Sequence, residues 1–275
     1  MRPANMVTAL ADVLAGFAVA GLTGTDKLPW LLVSGLALYG GGVTLNDFFD
    51  RRIDAVERPE RPIPSGRASA RSASLLGSSL LLLGIGCALV ASPASGLIAA
   101  TLALAAVSYD SWGKYVPVIG PLLMGSCRGL DLLLGVSANP DALPGRWLVG
   151  TISVVYIAGV TLLSAGEVHG GTRARAVISA TLLAAAAAIA VIAGPFTVSA
   201  ALLVALLAWQ VGPAFYRACL DPGAKQIRAA IKAGVISLVF LDGAVAAAFQ
   251  GLWYALGLVA LVLVVSRLAR TFPVT

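Results

Sequence analysis

Apolar runs about 18–23 residues long, rich in Ala, Leu, Gly and Val, follow one another along the chain and are broken by short polar segments. They predict spans at about 5–23, 29–49, 72–92, 95–110, 117–136, 147–166, 176–194, 197–217, 230–249 and 251–268. Each matches the roughly 20 residues a helix needs to cross a hydrocarbon core of about 30 Å. Strands of a membrane barrel would be shorter and would alternate. The expected fold is an all-α polytopic membrane helix bundle of nine to ten transmembrane helices, forming one domain over residues 1–275. The fourth run is short. Only Gln250 and Gly251 divide the last two, so nine long helices with a bent end is the alternative. The first run resembles a signal peptide in length, but it carries Asp12 and only Arg2 precedes it. It is read as a span.

Composition agrees. Of 275 residues, 59% are hydrophobic and 12% charged, against roughly 25% charged in soluble domains. Small residues let helices approach closely in a membrane bundle. Cys87, Cys127 and Cys219 share no metal-like spacing and are expected to be small packing residues. The net charge of +6 does not point to nucleic acid, because the basic residues flank the membrane. With the amino terminus in the cytoplasm, sixteen of the 19 Lys and Arg fall on that side. They are Arg2, six arginines from Arg51 to Arg71, Lys114, Arg173, Arg175, four basic residues from Arg217 to Lys232, Arg267 and Arg270. Lys27 and Arg146 lie outside, and Arg128 lies within a span. The excess of cytoplasmic Lys and Arg sets this orientation.

The chemistry concentrates at the end of the second span, where Asn46 and Asp47 are followed by Asp50 and Asp54. At 100° per residue these four fall within about 100° of arc on a helix. Three carboxylates on one face repel one another unless a cation joins them. Mg²⁺ suits the site, taking one or two carboxylates and completing its shell with water and substrate phosphate. A solvated helix end accounts for any single Asp but not for the shared face. Residues 57–67 then carry Arg58, Arg61 and Arg67 among three prolines and predict a stiff extended loop without regular helix. Arginine forks match phosphate oxygens, although topology alone also places arginines here.

The pattern Asn46-Asp47-x-x-Asp50-x-x-x-Asp54, then Arg58-Pro59-x-Arg61-Pro62-x-Pro64-Ser65-Gly66, resembles the UbiA family of intramembrane prenyltransferases. Asn5 at the first span and Tyr109 and Lys114 after the fourth extend the likeness. The runs 109–114 and 127–131 look like its EboC subgroup. The resemblance implies ionisation of an allylic prenyl diphosphate with Mg²⁺ and transfer of the prenyl group to a small, commonly aromatic acceptor. It also implies a multi-pass protein of the cell inner membrane, embedded in the lipid bilayer, with its active site facing the cytoplasm. The family carries a second D-x-x-x-D motif at the end of the sixth span. Here Glu167 takes the later position, and Leu163 or Ser164 replaces the earlier acid.

The expected metal and catalytic residues are Asp47, Asp50, Asp54 and Glu167. The expected substrate contacts are Asn5, Asn46, Arg58, Arg61, Tyr109, Lys114, His169 and Arg173. Phe48, Phe49, Tyr109, Trp112 and Tyr156 are candidates to face an allylic cation, though each suits packing as well. Asp12, Arg128, Asp131 and Asp242 need partners inside the membrane; Arg128 and Asp131, three residues apart, can pair on one helix face. The weakened second motif also fits a carrier that binds a prenyl diphosphate without chemistry, and a terpene cyclase on the same scaffold is a third possibility.

The orientation is directly testable. With the native cysteines replaced, Glu60→Cys should label only from the cytoplasmic side and Asp141→Cys only from outside; the reverse pattern would invert the topology.

Overall fold

The computed structural model describes residues 3–22 and 24–271. The opening helix α1 (Pro3–Val19) is followed by α2 (Lys27–Phe49) and the short α3 (Arg51–Glu57). Next come α4 (Ala70–Ala91), α5 (Pro93–Ser111), α6 (Ile119–Val136), the single turn α7 (Leu143–Arg146) and α8 (Gly150–Ser164). The chain continues through α9 (Arg173–Ile192), α10 (Val198–Leu220), α11 (Ala224–Gln250), α12 (Leu252–Val259) and α13 (Leu261–Thr271). Arg2 lies outside the described residues.

Local chemistry starts and stops these helices. The hydroxyls of Ser69, Ser92, Thr172 and Thr197 accept from the backbone N–H three residues on, capping α4, α5, α9 and α10. Ser92 both ends α4 and starts α5, and Pro93 occupies the first turn of α5, where its missing N–H costs nothing. The fourth span is therefore 19 residues long rather than short. At Gly251 the backbone turns to φ 81°, a conformation glycine adopts without penalty, and α11 stops there.

Eight described helical segments are long and apolar enough to cross a membrane. The other two expected spans are shorter: α1 has 17 residues, and the last run is divided into α12 and α13 at Ala260. Ten apolar segments are thus present, at the expected places.

Each long helix packs on the next along the chain, from α2 through α11, and α1 packs against α2, α6 and α11 together. Two apolar cores result. Leu31, Leu38, Leu81 and Leu102 belong to the first, on α2, α4 and α5. Tyr156, Leu207, Phe215 and Leu238 belong to the second, on α8, α10 and α11. Helices α1 and α6 contribute to both. This central position explains why the first span is short and Ala-rich, and why Ala9, Ala11, Val13 and Ala15 are wholly buried.

Glycine makes the α1–α6 crossing possible. A Cβ on Gly16 would stand 1.9 Å from the Leu132 carbonyl oxygen, and one on Gly135 would stand 2.1 Å from that of Val13. Backbones this close admit no side chain. Gly16→Ala and Gly135→Ala should each cost about 1–3 kcal/mol and lower the thermal midpoint in detergent. Gly86→Ala, with open space around it, should leave the midpoint unchanged or raise it, since alanine is the better helix former.

Candidate active site

The end of α2 carries the first acidic face almost unbroken into α3. Asp50 donates its backbone N–H to Asn46, Asp54 to Asp50, and Arg58 to Asp54, at 2.8–2.9 Å. This four-residue rhythm keeps Asn46, Asp50, Asp54 and Arg58 in one row. Residues beyond Arg58 do not form the extended loop expected from their prolines. They fold back in tight turns: Ser65 N–H donates to Arg61 O, Gly66 to Ile63 O and Ala68 to Pro62 O. Gly66 supplies the positive φ of 77° that the reversal requires. The fold-back carries Arg61 onto the acids. Its Nη1 donates to Asp54 Oδ2 at 2.9 Å and to Asp47 Oδ1 at 3.2 Å.

Asp50 is engaged from another side. Lys114, in the turn after α5, places Nζ 2.5 Å from Asp50 Oδ1, and the Tyr115 hydroxyl donates to the same oxygen at 3.4 Å. Partial burial and the neighbouring carboxylate raise the Tyr115 phenol above its ordinary pKa, so it remains a donor. Asn46 Nδ2 donates to Asp110 Oδ1 at 2.9 Å and ties α2 to α5.

A cavity of ≈ 370 Å³ opens beside this row. Asn46, Asp50, Arg58, Asp110, Lys114 and Glu167 give it a charged end. Leu38, Leu102, Ile157, Val160, Ile231 and Leu238 give it apolar walls. Glu167 lies in the turn that follows α8. That turn is clamped from the α10–α11 side, where Gly171 N–H donates to Pro222 O at 2.9 Å and Arg228 Nη1 to Glu167 O at 3.0 Å. The two acidic motifs therefore share one cavity, as the direction of their spans requires.

Against this geometry, residues 6–218 match the UbiA prenyltransferase family. The chain belongs to that family. The digeranylgeranylglyceryl phosphate synthase of Methanothrix thermoacetophila is 38% identical over 146 residues, 52% of this chain and 55% of that protein. The chain spans about half the length of the curated relatives it matches. The UbiA homolog from Aeropyrum pernix K1 has the same fold, with a TM-score of 0.73, 17% identity and 87% and 96% of the two chains covered. A UbiA homolog from Archaeoglobus fulgidus bound to DMAPP and Mg²⁺ aligns with a TM-score of 0.60, 14% identity and 94% and 97% coverage.

Within this UbiA fold the expected site residues divide. Asn5, Asn46, Asp50, Arg58, Tyr109, Lys114 and Glu167 line the cavity. Asp47 and Asp54 do not; both pair with Arg61, which is not a lining residue either. His169 and Arg173 are exposed and lie off the cavity. Of the five aromatic candidates only Tyr109 lines it. Phe48 lies under the Arg51 guanidinium, Phe49 packs on the first core, Trp112 is exposed, and buried Tyr156 donates to Gly234 O at 3.0 Å. Asp110 and Tyr39 are cavity residues that motif reading missed. Asp110 is detectable in principle as an acid at a helix end, but only α5 packing on α2 brings it to Asn46.

Among the described residues, no three Asp, Glu, His or Cys side chains converge closely enough to cage a metal by themselves. The donors still suit Mg²⁺. They are hard oxygens, and Mg²⁺ takes one or two carboxylates while water and phosphate complete its shell. Asp50, Asp110 and Glu167 all line the cavity, and Asp50 and Glu167 would each offer such a carboxylate.

This division ranks substitutions. Asp50→Asn should weaken Mg²⁺-dependent diphosphate binding about tenfold or more, the loss of a charge-assisted contact of roughly 1.5–3 kcal/mol. His169→Ala and Asp141→Asn should change it less than twofold, and equal effects in an equilibrium binding assay would count against the site.

Proposed function

We propose that this UbiA-type chain binds an allylic prenyl diphosphate at the charged end of the cavity and transfers the prenyl group to a small acceptor. One observation carries the proposal: acids, bases and a long apolar wall share a single cavity. An amphiphile with a diphosphate head and a hydrocarbon tail needs that combination. A carrier would also need it, but the ordered Glu167 beside the first motif favours chemistry. The EboC likeness rests on residues 109–114 and 127–131, whereas the matching relatives carry the synthase name. That name contains a glyceryl phosphate, so an acceptor of that kind stands beside the aromatic kind.

Asp50 and Glu167 would hold Mg²⁺, with Asp47 and Asp54 available once Arg61 is drawn away by phosphate. When bound, Mg²⁺ neutralises charge on the diphosphate. Lys114 and Arg58 face the same end and stabilise the negative charge that develops as the C–O bond breaks. Arg61, already beside two carboxylates, balances the acidic row while the substrate is absent. Asn46, fixed by Asp110, orients the head group. The apolar walls exclude water, which would quench an allylic cation, and the Tyr109 ring offers that cation a π face. The asymmetry of Lys and Arg supports a cytoplasmic mouth.

Purified protein, Mg²⁺ and radiolabelled prenyl diphosphates test this directly. A prenylated acceptor is expected; a cyclic product would indicate a cyclase, and no new product a carrier. EDTA should abolish diphosphate binding. Glu167→Gln should raise the Mg²⁺ requirement by about tenfold, and Ser164→Asp, which restores the second acid of the motif, should be tolerated. A flat Mg²⁺ titration for Glu167→Gln would move the assignment from transferase to carrier.

A further inference from the structure

A second cavity, of ≈ 320 Å³, lies apart from the active site, between α8, α9 and α10. Its lining is apolar except at one end. Tyr156, on its inner side, turns its hydroxyl to Gly234 O. The other two polar side chains, Tyr216 and Cys219, stand together in the last turns of α10. Toward the outside the cavity is an open groove. Ala184, Ala208 and Gly212 on its rim are exposed, and a Cβ on Gly212 would meet nothing within 4 Å. Small residues on facing membrane helices normally let the backbones close on each other. Here they leave a gap, and the gap has no polar lining to hold water. In a bilayer it is filled by hydrocarbon.

The length and the polar end of the groove narrow the choice of hydrocarbon. From Leu207 to Cys219 it follows twelve residues of α10, about 18 Å at the helical rise. Half of a hydrocarbon core is about 15 Å, so the groove is one leaflet deep. Its polar end lies on the side of the bundle that bears Glu167, where α9 begins and α10 ends. Exposed Arg173 and Arg175 open α9, and exposed Arg217 lies in the last turn of α10. Among the described residues none of the three makes an ion pair. Asp221, the acid that follows α10, accepts from Gly223 N–H and from Gln226 instead. Arg173 is in register with the groove. It precedes the lining residues Ala180 and Ala187 by seven and fourteen positions, so all three fall on one face of α9. Its charge also acts on the Cys219 thiol at the end of the groove. Topology alone places arginines on this side, but it does not align one with an apolar groove.

We propose that the groove is a binding site for an anionic phospholipid of the surrounding bilayer. One acyl chain lies along Ala184, Ala208 and Gly212, over the Tyr156 ring. The phosphate of the head group sits at Arg173, with the Tyr216 hydroxyl as a second donor, and Arg175 and Arg217 add to the positive field around it. Basic pockets between membrane helices recognise lipid heads in this way.

Native mass spectrometry of the purified full chain in detergent tests this, with dioleoylphosphatidylglycerol and dioleoylphosphatidylcholine added at equal concentration. Retention of phosphatidylglycerol should exceed that of phosphatidylcholine about fivefold, the effect of one arginine at a membrane surface. Arg173→Gln should abolish the preference. Arg71→Gln, which removes an exposed arginine at the start of α4 on the same side of the bundle, should leave it unchanged. Ala184→Phe, which fills the groove from an exposed position, should lower retention of both lipids. Wild-type protein with no preference for phosphatidylglycerol overturns the proposal. So does an Arg173→Gln protein that loses no more of the preference than Arg71→Gln, which would reduce the effect to general surface charge, and so does undiminished retention by Ala184→Phe.

Discussion

Charge in an apolar bundle is costly unless it stands beside charge of the other sign, and much of the organisation of this protein follows from that constraint. Its acids need partners, and they are supplied from distant parts of the chain. Lys114 comes to Asp50 from the turn after α5, Arg61 comes back to Asp47 and Asp54 from the loop after α3, and Arg128 reaches Asp12 across the α1–α6 crossing. Of these residues, Asp50, Lys114 and Arg128 line the cavity. Removing any one base would leave a carboxylate uncompensated where water is scarce. Lys114 and Arg61 are also groups that a diphosphate would attract.

Close helix packing is what brings them within reach. The α1–α6 crossing depends on glycine on both sides, and α6 also meets α8 through Gly125 and Gly129, whose Cβ positions would collide with Val154 O and Gly150 O. Helix α6 thus has a backbone approach on two faces, and Arg128 and Asp131 between those contacts are presented to the cavity. Packing and chemistry are coupled through the same helix.

The second motif differs from the first in how its acid is held. Only Glu167 remains of the acid pair that the family carries, yet the turn bearing it is held by Gly171 and Arg228 and opens on the cavity. A single carboxylate fixed in place can serve an ion that needs only one or two from the protein. His169 and Arg173, two and six residues farther along, are exposed and lie off the cavity, and the chain turns between them at Gly170, with φ 83°.

Sequence by itself determined the features that depend on local periodicity and solvent. The helical class, the ten apolar segments and the row Asn46, Asp50 and Asp54 all follow from spacing and from the demand of lipid for internally satisfied backbone. Tertiary structure decided what depends on which helices meet. It turned Asp47 and Asp54 toward Arg61, folded the proline-rich loop back on itself, brought Asp110 to Asn46 and gave Arg128 to Asp12 rather than to its neighbour Asp131. It also removed Trp112 and Tyr156 from the cavity and admitted Tyr39. Periodicity states which side of a helix a residue occupies, but the partner on that side comes from another helix, and its position is set by packing across the whole bundle.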